Sequence, residues 1–372
     1  MNIIIKEMLE RRKLILVEGN KKDFEIGIYT LADLGPDPLT GKIISPKQRM
    51  DEIVQAAVLA DEAGLDVFGV GEHHRLDYVV SSPAVVLSAV AQATKQIRLT
   101  STTSVVSTLD PVRLFEDFAT LDLLSNGRAE ILAGRGAFIE SFPLFGYNTN
   151  DYNELFEEHM DLLLKLNKNK VISWDGNHRA GLRNAEISPR PVQEELPIWI
   201  GVGGTLESAA RAGRLGVGMA LAILGGNPIR FKQLVDIYQS AGLEAGHAPE
   251  QLQVGVTGHV YAGKTPEEAR DEFYPYYSNY WGYVNRQRGM GASMRMTRAD
   301  FDVVTGPNTA LFVGSPEEIV EKILYQHELY GHTRFLAQVD IGGVPFEKVA
   351  ANIELLGTEI VPMVKKAMQN KK

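Results

Sequence analysis

Apolar residues follow two alternating rhythms along this chain, short dense runs and longer stretches in which they recur at helical spacing. The dense runs predict buried strands, and the spaced ones predict amphipathic helices laid over them. Strands are expected at Glu25 to Thr30, from Phe68 into Glu72-His73-His74, at Ile97 to Val106, Ala129 to Ala133, Pro197 to Gly201, Val217 to Leu221, Gln253 to Val260 and Arg334 to Val339. A helix begins at Ser45-Pro46-Lys47-Gln48, where Ser45 caps, Pro46 pre-sets the first turn and Gln48 can reach back to the cap amide. Its apolar stripe is Met50, Ile53, Val54, Ala57 and Val58, and Gly64 ends it.

Further helices are expected at Pro83 to Thr94, from Asp110-Pro111 through Leu121, around Leu155 to Leu166, from Glu207 to Arg214 and from Glu347 to Met368. Asn126-Gly127 reads as a stop, while Thr265-Pro266-Glu267-Glu268 and Ser315-Pro316-Glu317-Glu318 read as capping boxes. Eight strands alternating with helices imply an α/β fold, a single closed parallel (β/α)8 TIM barrel whose strand ends open onto one face. A doubly wound sheet is the alternative. The whole of 1–372 is read as one domain, with 1–24 as an amino-terminal extension. One insertion, carrying the hairpin-like Trp174-Asp175-Gly176-Asn177, follows strand four. A second, rich in Tyr, Gly, Arg and Met at about 273–311, follows strand seven and is expected to act as a lid.

Composition narrows the function without naming it. A hydrophobic fraction of 44% and a charged fraction of 23% are those of a soluble globular protein. The net charge of -9 argues against a protein that tracks nucleic-acid phosphates, and the pairs Lys365-Lys366 and Lys371-Lys372 read as a solvated tail. With no cysteine there is no disulfide, thiolate metal site or cysteine nucleophile. Ile3-Ile4-Ile5 is too short an apolar run for a signal peptide or membrane span, so a cytoplasmic location is expected.

The chemistry concentrates in Phe68-Gly69-Val70-Gly71-Glu72-His73-His74, where a strand delivers one acid and two imidazoles to the open face. Successive strand side chains point to opposite faces, so these three are not expected to converge on a metal ion, and His74 is expected to leave on the face away from His73 unless the strand has already ended there. Either histidine alone has an ordinary alternative as a packing residue. Gly134-Arg135-Gly136 sets a guanidinium between two bare amides, and Gly203-Gly204-Thr205 opens a helix after the next strand. Together they suggest a phosphate cradle built on strands four and five.

The order Glu72-His73-His74, Ser101-Thr102-Thr103-Ser104-Val105-Val106, Asp110-Pro111-Val112-Arg113, Leu121-Asp122-Leu123-Leu124-Ser125-Asn126-Gly127-Arg128, Gly134-Arg135-Gly136 and Phe145-Gly146 resembles the bacterial luciferase-like flavin-dependent monooxygenase family. That resemblance implies a barrel that uses reduced FMN and O2 to oxygenate a small organic substrate. It implies His73 as the catalytic histidine with Glu72 its neighbour. It places the FMN phosphate on Arg135 with the amides of Gly136 and Ala137, completed by Gly203, Gly204, Thr205 and Ser208. Thr102-Thr103 falls where the family often has a non-prolyl cis peptide against the flavin. It further implies a homodimer, and because no GxGxxG opens a helix after a strand, a separate NAD(P)H:flavin reductase is expected. Light-emitting relatives carry a cysteine where this chain has Gly134, which argues against light emission. Three alternatives stand beside this reading: hydride transfer with the deazaflavin F420, a non-catalytic flavin binder, and a metal-dependent hydrolase.

Overall fold

The computed structural model describes residues 24–136, 138–287 and 295–370. The amino-terminal extension before Phe24, the Ala137 amide, residues 288–294 of the second insertion and the Lys371-Lys372 pair lie outside the described residues. Eight parallel strands carry the fold: β1 (Glu25–Thr30), β2 (Val67–Val70), β3 (Arg98–Ser101), β4 (Ala129–Gly134), β5 (Ile198–Val202), β6 (Gly218–Ala222), β7 (Val254–Ala262) and β8 (Arg334–Gln338). Each pairs with the next, and β8 pairs back onto β1 from Arg334↔Glu25 to Gln338↔Tyr29. That last ladder closes the sheet and removes the doubly wound alternative, which would leave two open edges.

Strand alternation divides the apolar residues into two populations. Ile26, Phe68, Val70, Leu99, Ile131, Ile200, Val256 and Phe335 face outward into the large core shared with the helices. Tyr29, Val67 and Leu336, with Leu132, Trp199 and Ala220, form separate small clusters that fill the barrel interior. At the amino-terminal end of the strands the interior is ionic. Arg334 bonds Glu130 and Glu25, Arg98 bonds Glu25 at 3.2 Å, and the Arg334 guanidinium lies 4.3 Å from the centre of the Trp199 ring. Two acids and two guanidiniums neutralise one another there, as buried charges must.

The surrounding helices are α1 (Pro46–Glu62), α2 (Pro83–Ala93), α3 (Pro111–Ser125), α4 (Tyr152–Lys168), α5 (Leu206–Leu215), α6 (Lys232–Glu244), α7 (Pro266–Gln287), α8 (Pro316–Tyr330) and α9 (Phe346–Leu355). After α9 the chain continues through a π-helical turn into a last helix, Val361–Asn370. The capping boxes are half made. Ser45 Oγ accepts from the Gln48 amide at 3.1 Å, but the Gln48 side chain donates to Glu52 rather than back to the cap. Likewise Ser315 caps the Glu318 amide while the Glu318 carboxylate binds Arg270.

Two expectations need correcting. The third strand does not run unbroken to Val106: the Thr102-Thr103 peptide is cis, and the chain resumes at Ser104–Val105 beside Ala133 and Gly134 of β4. The second insertion does not begin at Phe273 either, because α7 continues to Gln287 with Phe273, Tyr276 and Tyr277 fully buried. Pro275 and Gly282 resemble loop signals, but the aromatic residues between them belong to the core, and their burial overrides local propensity. The hairpin after strand four is present as Val171–Trp174 paired with Leu182–Glu186. No described helix is long and apolar enough to cross a membrane.

Candidate active site

At the carboxyl ends of the strands the interior opens into a cavity of about 590 Å³. Leu132, Gly201, Ala220 and Thr257 form its base, Glu72, His73, His74 and Arg75 one wall, and Phe138, Ile139 and Val284 part of its rim. Open carboxyl ends are where barrels of this kind carry their chemistry.

Strand β2 ends at Val70, so Glu72, His73 and His74 lie on a loop where the two-residue alternation no longer applies. All three line the cavity. The alternative held for His74 therefore applies: the strand has ended before it, and it does not leave on the face opposite His73. Glu72 is wholly buried and both its carboxylate oxygens are used, Oε1 against His74 Nε2 at 2.8 Å and Oε2 accepting from the Val105 amide at 2.9 Å. It thereby ties the segment after the cis peptide to the second histidine. His73 stacks on Tyr78 at 4.0 Å with 26° between the rings and packs against Phe138 at 5.4 Å. Its amide donates to Val80 O, and its Nδ1 is 3.7 Å from Glu140. Burial pushes the Glu140 carboxyl up, but His73 and Arg75 outweigh it and hold it below the usual carboxylate range.

Thr102 and Thr103 form the wall next to Glu72, and glycines crowd round them. A Cβ on Gly69 would lie 2.5 Å from Thr102 Cγ2, and one on Gly134 only 2.1 Å from Thr103 Oγ1. The departure noted at Gly134 thus has a steric cause, since no cysteine fits beside Thr103 as placed. On the opposite wall burial drives the Tyr29 and Tyr280 phenols up, so both are neutral hydrogen-bonding groups at any ordinary pH. Arg75 is held by Asp77 through bonds of 2.9 and 3.1 Å.

Beside the cavity the two glycine motifs meet, because β4 and β5 are neighbours. Arg135 donates to Asn153 Oδ1 at 2.9 Å and to Ser208 Oγ at 2.7 Å, and its guanidinium lies 5.2 Å from the Tyr152 ring centre. Neither hydrogen-bond partner is a carboxylate. Ser208 in turn shares a 2.6 Å hydrogen bond with Thr205, which leaves the amides of the first turn of α5 without a side-chain cap. The space beside Gly203 and Gly204 is open, and Gly204 has φ 145°. A guanidinium with only neutral partners, two hydroxyls and free helix-terminal amides match a phosphate dianion.

Sequence reasoning found Glu72, His73, His74, Thr102, Thr103, Arg135, Gly136, Gly203, Gly204, Thr205 and Ser208, and the fold brings them to one end of the barrel in two adjoining groups. It missed Tyr29, Tyr78, Glu140, Asn153 and Tyr280. Inward alternation on β1 marks Tyr29, whereas Glu140 sits in an irregular loop that carries no periodic signal. Among the described residues no group of three His, Asp or Glu side chains is placed to hold a metal ion.

Comparison with known proteins gives a consistent answer. Residues 24–333 match the family described as luciferase-like monooxygenase. The oxygenase component of a flavin-dependent trigonelline monooxygenase from Acinetobacter baylyi is 22% identical over 85% of this chain and 90% of its own. The oxygenating constituent of 3,6-diketocamphane monooxygenase from Pseudomonas putida, solved with FMN, superimposes with a TM-score of 0.73 at 21% identity, covering 92% of this chain and 99% of its own. An F420-dependent secondary alcohol dehydrogenase superimposes with a TM-score of 0.72 at 17% identity over the same shares of the two chains. A closed barrel with its cavity at the strand carboxyl ends, and a family match running from β1 to the threshold of β8, lead to one assignment: the chain belongs to the luciferase-like monooxygenase family.

Proposed function

We propose that this protein is the oxygenase component of a two-component flavin-dependent monooxygenase, which uses reduced FMN and O2 to oxygenate a small organic substrate. The observation that carries the reading is Arg135, a guanidinium hydrogen-bonded only to neutral side chains at the edge of a cavity walled by Glu72, His73 and His74. Arg135, Thr205, Ser208 and the amides of Gly136, Gly203 and Gly204 would hold the FMN phosphate. The ring system would occupy the cavity along Thr102 and Thr103. Bound there, FMN supplies the activation of O2, and the barrel supplies position, dryness and protons.

Each of those three tasks has residues. Leu132, Phe138, Ile139, Leu224 and Val284 line the cavity with apolar surface that excludes water. His73 exchanges protons with the reacting groups, since one imidazole nitrogen can donate a proton while the other accepts one. Glu72 acts through His74, fixing the ring as the buried acid of a triad fixes its histidine. The whole chain acts as one barrel domain, and Tyr280 and Val284 bring α7 against the cavity as part of a lid. A separate NAD(P)H:flavin reductase delivers the cofactor. This accords with the oxygenase-component naming of the Acinetobacter relative and with the lack of a GxGxxG dinucleotide fingerprint in the sequence. We further place the protein in the cytoplasm as a homodimer, with exposed Val85, Leu123 and Leu124 on α2 and α3 supplying apolar contact surface.

The experiment is a titration of the purified protein with FMN, riboflavin and F420, followed by absorbance and flavin fluorescence. FMN is expected to bind at least about tenfold more tightly than riboflavin, the effect of a charge-assisted phosphate site. Preferential binding of F420 overturns the cofactor assignment, and binding of none of the three overturns the reading.

A further inference from the structure

We propose that Glu140 is a positioning residue that fixes the proton of His73 on Nδ1 and leaves Nε2 as the nitrogen that exchanges protons in the cavity. The inference rests on the role given to His73 above and adds a residue to it. Three contacts constrain the imidazole. Tyr78 stacks on it at 4.0 Å, Phe138 packs against it at 5.4 Å, and the His73 amide is pinned to Val80 O. Together they set the plane of the ring but not its polarity. A ring turned by 180° about its own bond keeps both aromatic contacts while exchanging the nitrogen and carbon edges, and stacking alone barely distinguishes the two states.

Glu140 removes that degeneracy. Its carboxylate lies 3.7 Å from Nδ1, both side chains line the cavity, and neither is more than a fifth or so exposed. At 3.7 Å the pair is a charge contact rather than a hydrogen bond, and beside an ionised carboxylate the ring edge that carries an N–H is favoured over the edge that carries a lone pair. Arg75 stands close enough to act on Glu140 electrostatically and favours the ionised form. In the neutral imidazole, one N–H on Nδ1 makes Nε2 the acceptor. The same contact joins the loop after β2 to the loop after β4, so the nitrogen presented to the cavity is set by a residue from the phosphate-binding side of the site.

The test uses full-length, flavin-free protein with 15N-labelled histidine, in which long-range 1H–15N correlations report the tautomer of each ring. His73 is assigned by the loss of its signals in His73→Gln. The wild-type ring should show a protonated Nδ1 and an unprotonated Nε2. Glu140→Gln, whose amide can turn either its oxygen or its NH2 to the ring, and Glu140→Ala should each reduce the bias by about tenfold or more and give a mixture, the effect of losing the neighbouring negative charge. A proton on Nε2 in the wild type, or an unchanged pattern in Glu140→Ala, overturns the proposal. The wild-type spectrum decides even if the alanine variant does not fold. Because the measurement needs no flavin, it is independent of the titration that tests the FMN reading.

Discussion

Replacement of Glu72 separates a residue that holds the site together from one that reacts. Its carboxylate is wholly buried and accepts two hydrogen bonds, from Val105 N at 2.9 Å and in the contact with His74 Nε2 at 2.8 Å. Glu72→Ala removes both acceptors and strands a buried amide, which costs about 1 to 3 kcal/mol. Glu72→Gln keeps one acceptor. The Val105 N–H has no other acceptor beside it, so the glutamine oxygen must turn there and its NH2 must face His74. Nε2 then has to accept, which moves the His74 proton to Nδ1, at a cost of about 1 to 2 kcal/mol for one exchanged charge-assisted bond. Urea unfolding of flavin-free protein gives the two energies, and 15N shifts give the tautomer. An alanine variant within about 0.5 kcal/mol of the parent, the scatter of ordinary surface substitutions, would refute the anchoring role. A glutamine variant of parental stability that has lost all turnover would mean that the carboxylate itself takes part in the chemistry.

Four further outcomes are expected. His73→Ala should lower single-turnover oxygenation by roughly 10² to 10⁴ while FMN affinity stays within a few fold, and a parental rate would remove His73 from the mechanism. Arg135→Ala should weaken FMN by about 1.5 to 3 kcal/mol and leave riboflavin unchanged; an equal loss for both ligands would put the phosphate elsewhere. Gly134→Ala drives a Cβ into Thr103 and should lower stability by about 1 to 3 kcal/mol, partly recovered by adding Thr103→Gly; full parental stability would show that the wall yields. Burial lowers His259, whose ring nitrogens have no hydrogen-bond partner among the described residues, to about 4. Below about pH 6.5 the unfolded chain binds a proton there that the native protein refuses, so stability falls by ~1.4 kcal/mol per pH unit down to about pH 4. Asp33, raised to about 6 by burial, acts in the opposite sense, so the measurement is the difference between wild type and His259→Phe, and superimposable pH curves would contradict it.

The barrel was legible because β-rich runs and helical stripes alternate along the chain apart from two insertions, and the outward apolar residues of the strands are covered by the helices. The pair of glycine motifs proposed to hold the phosphate was legible for a related reason. Gly134-Arg135-Gly136 and Gly203-Gly204-Thr205 follow strands directly, so naming the strands places the turns at one end. The side taken by His74 was left open because a two-residue rhythm does not show that the strand ends at Val70, beyond which the loop is governed by the Glu72 hydrogen bonds. The long helix α7 was divided at Phe273 because tyrosines among proline and glycine resemble a loop, although Tyr276 and Tyr277 are among the most deeply buried side chains. Glu140 left no trace, since its role depends on a partner brought near only by the closed fold.

Among the described residues, the ionic layer of Glu25, Arg98, Glu130 and Arg334 stoppers the barrel at the amino-terminal end of its strands. With that end stoppered and Leu132, Trp199 and Ala220 packed above it, traffic has to use the mouth at the other end. Whatever lies deepest enters first and leaves last. Steady-state kinetics should therefore show a compulsory order, in which a molecule seated at the rim slows the departure of one seated below it and an excess of substrate delays exchange of spent cofactor.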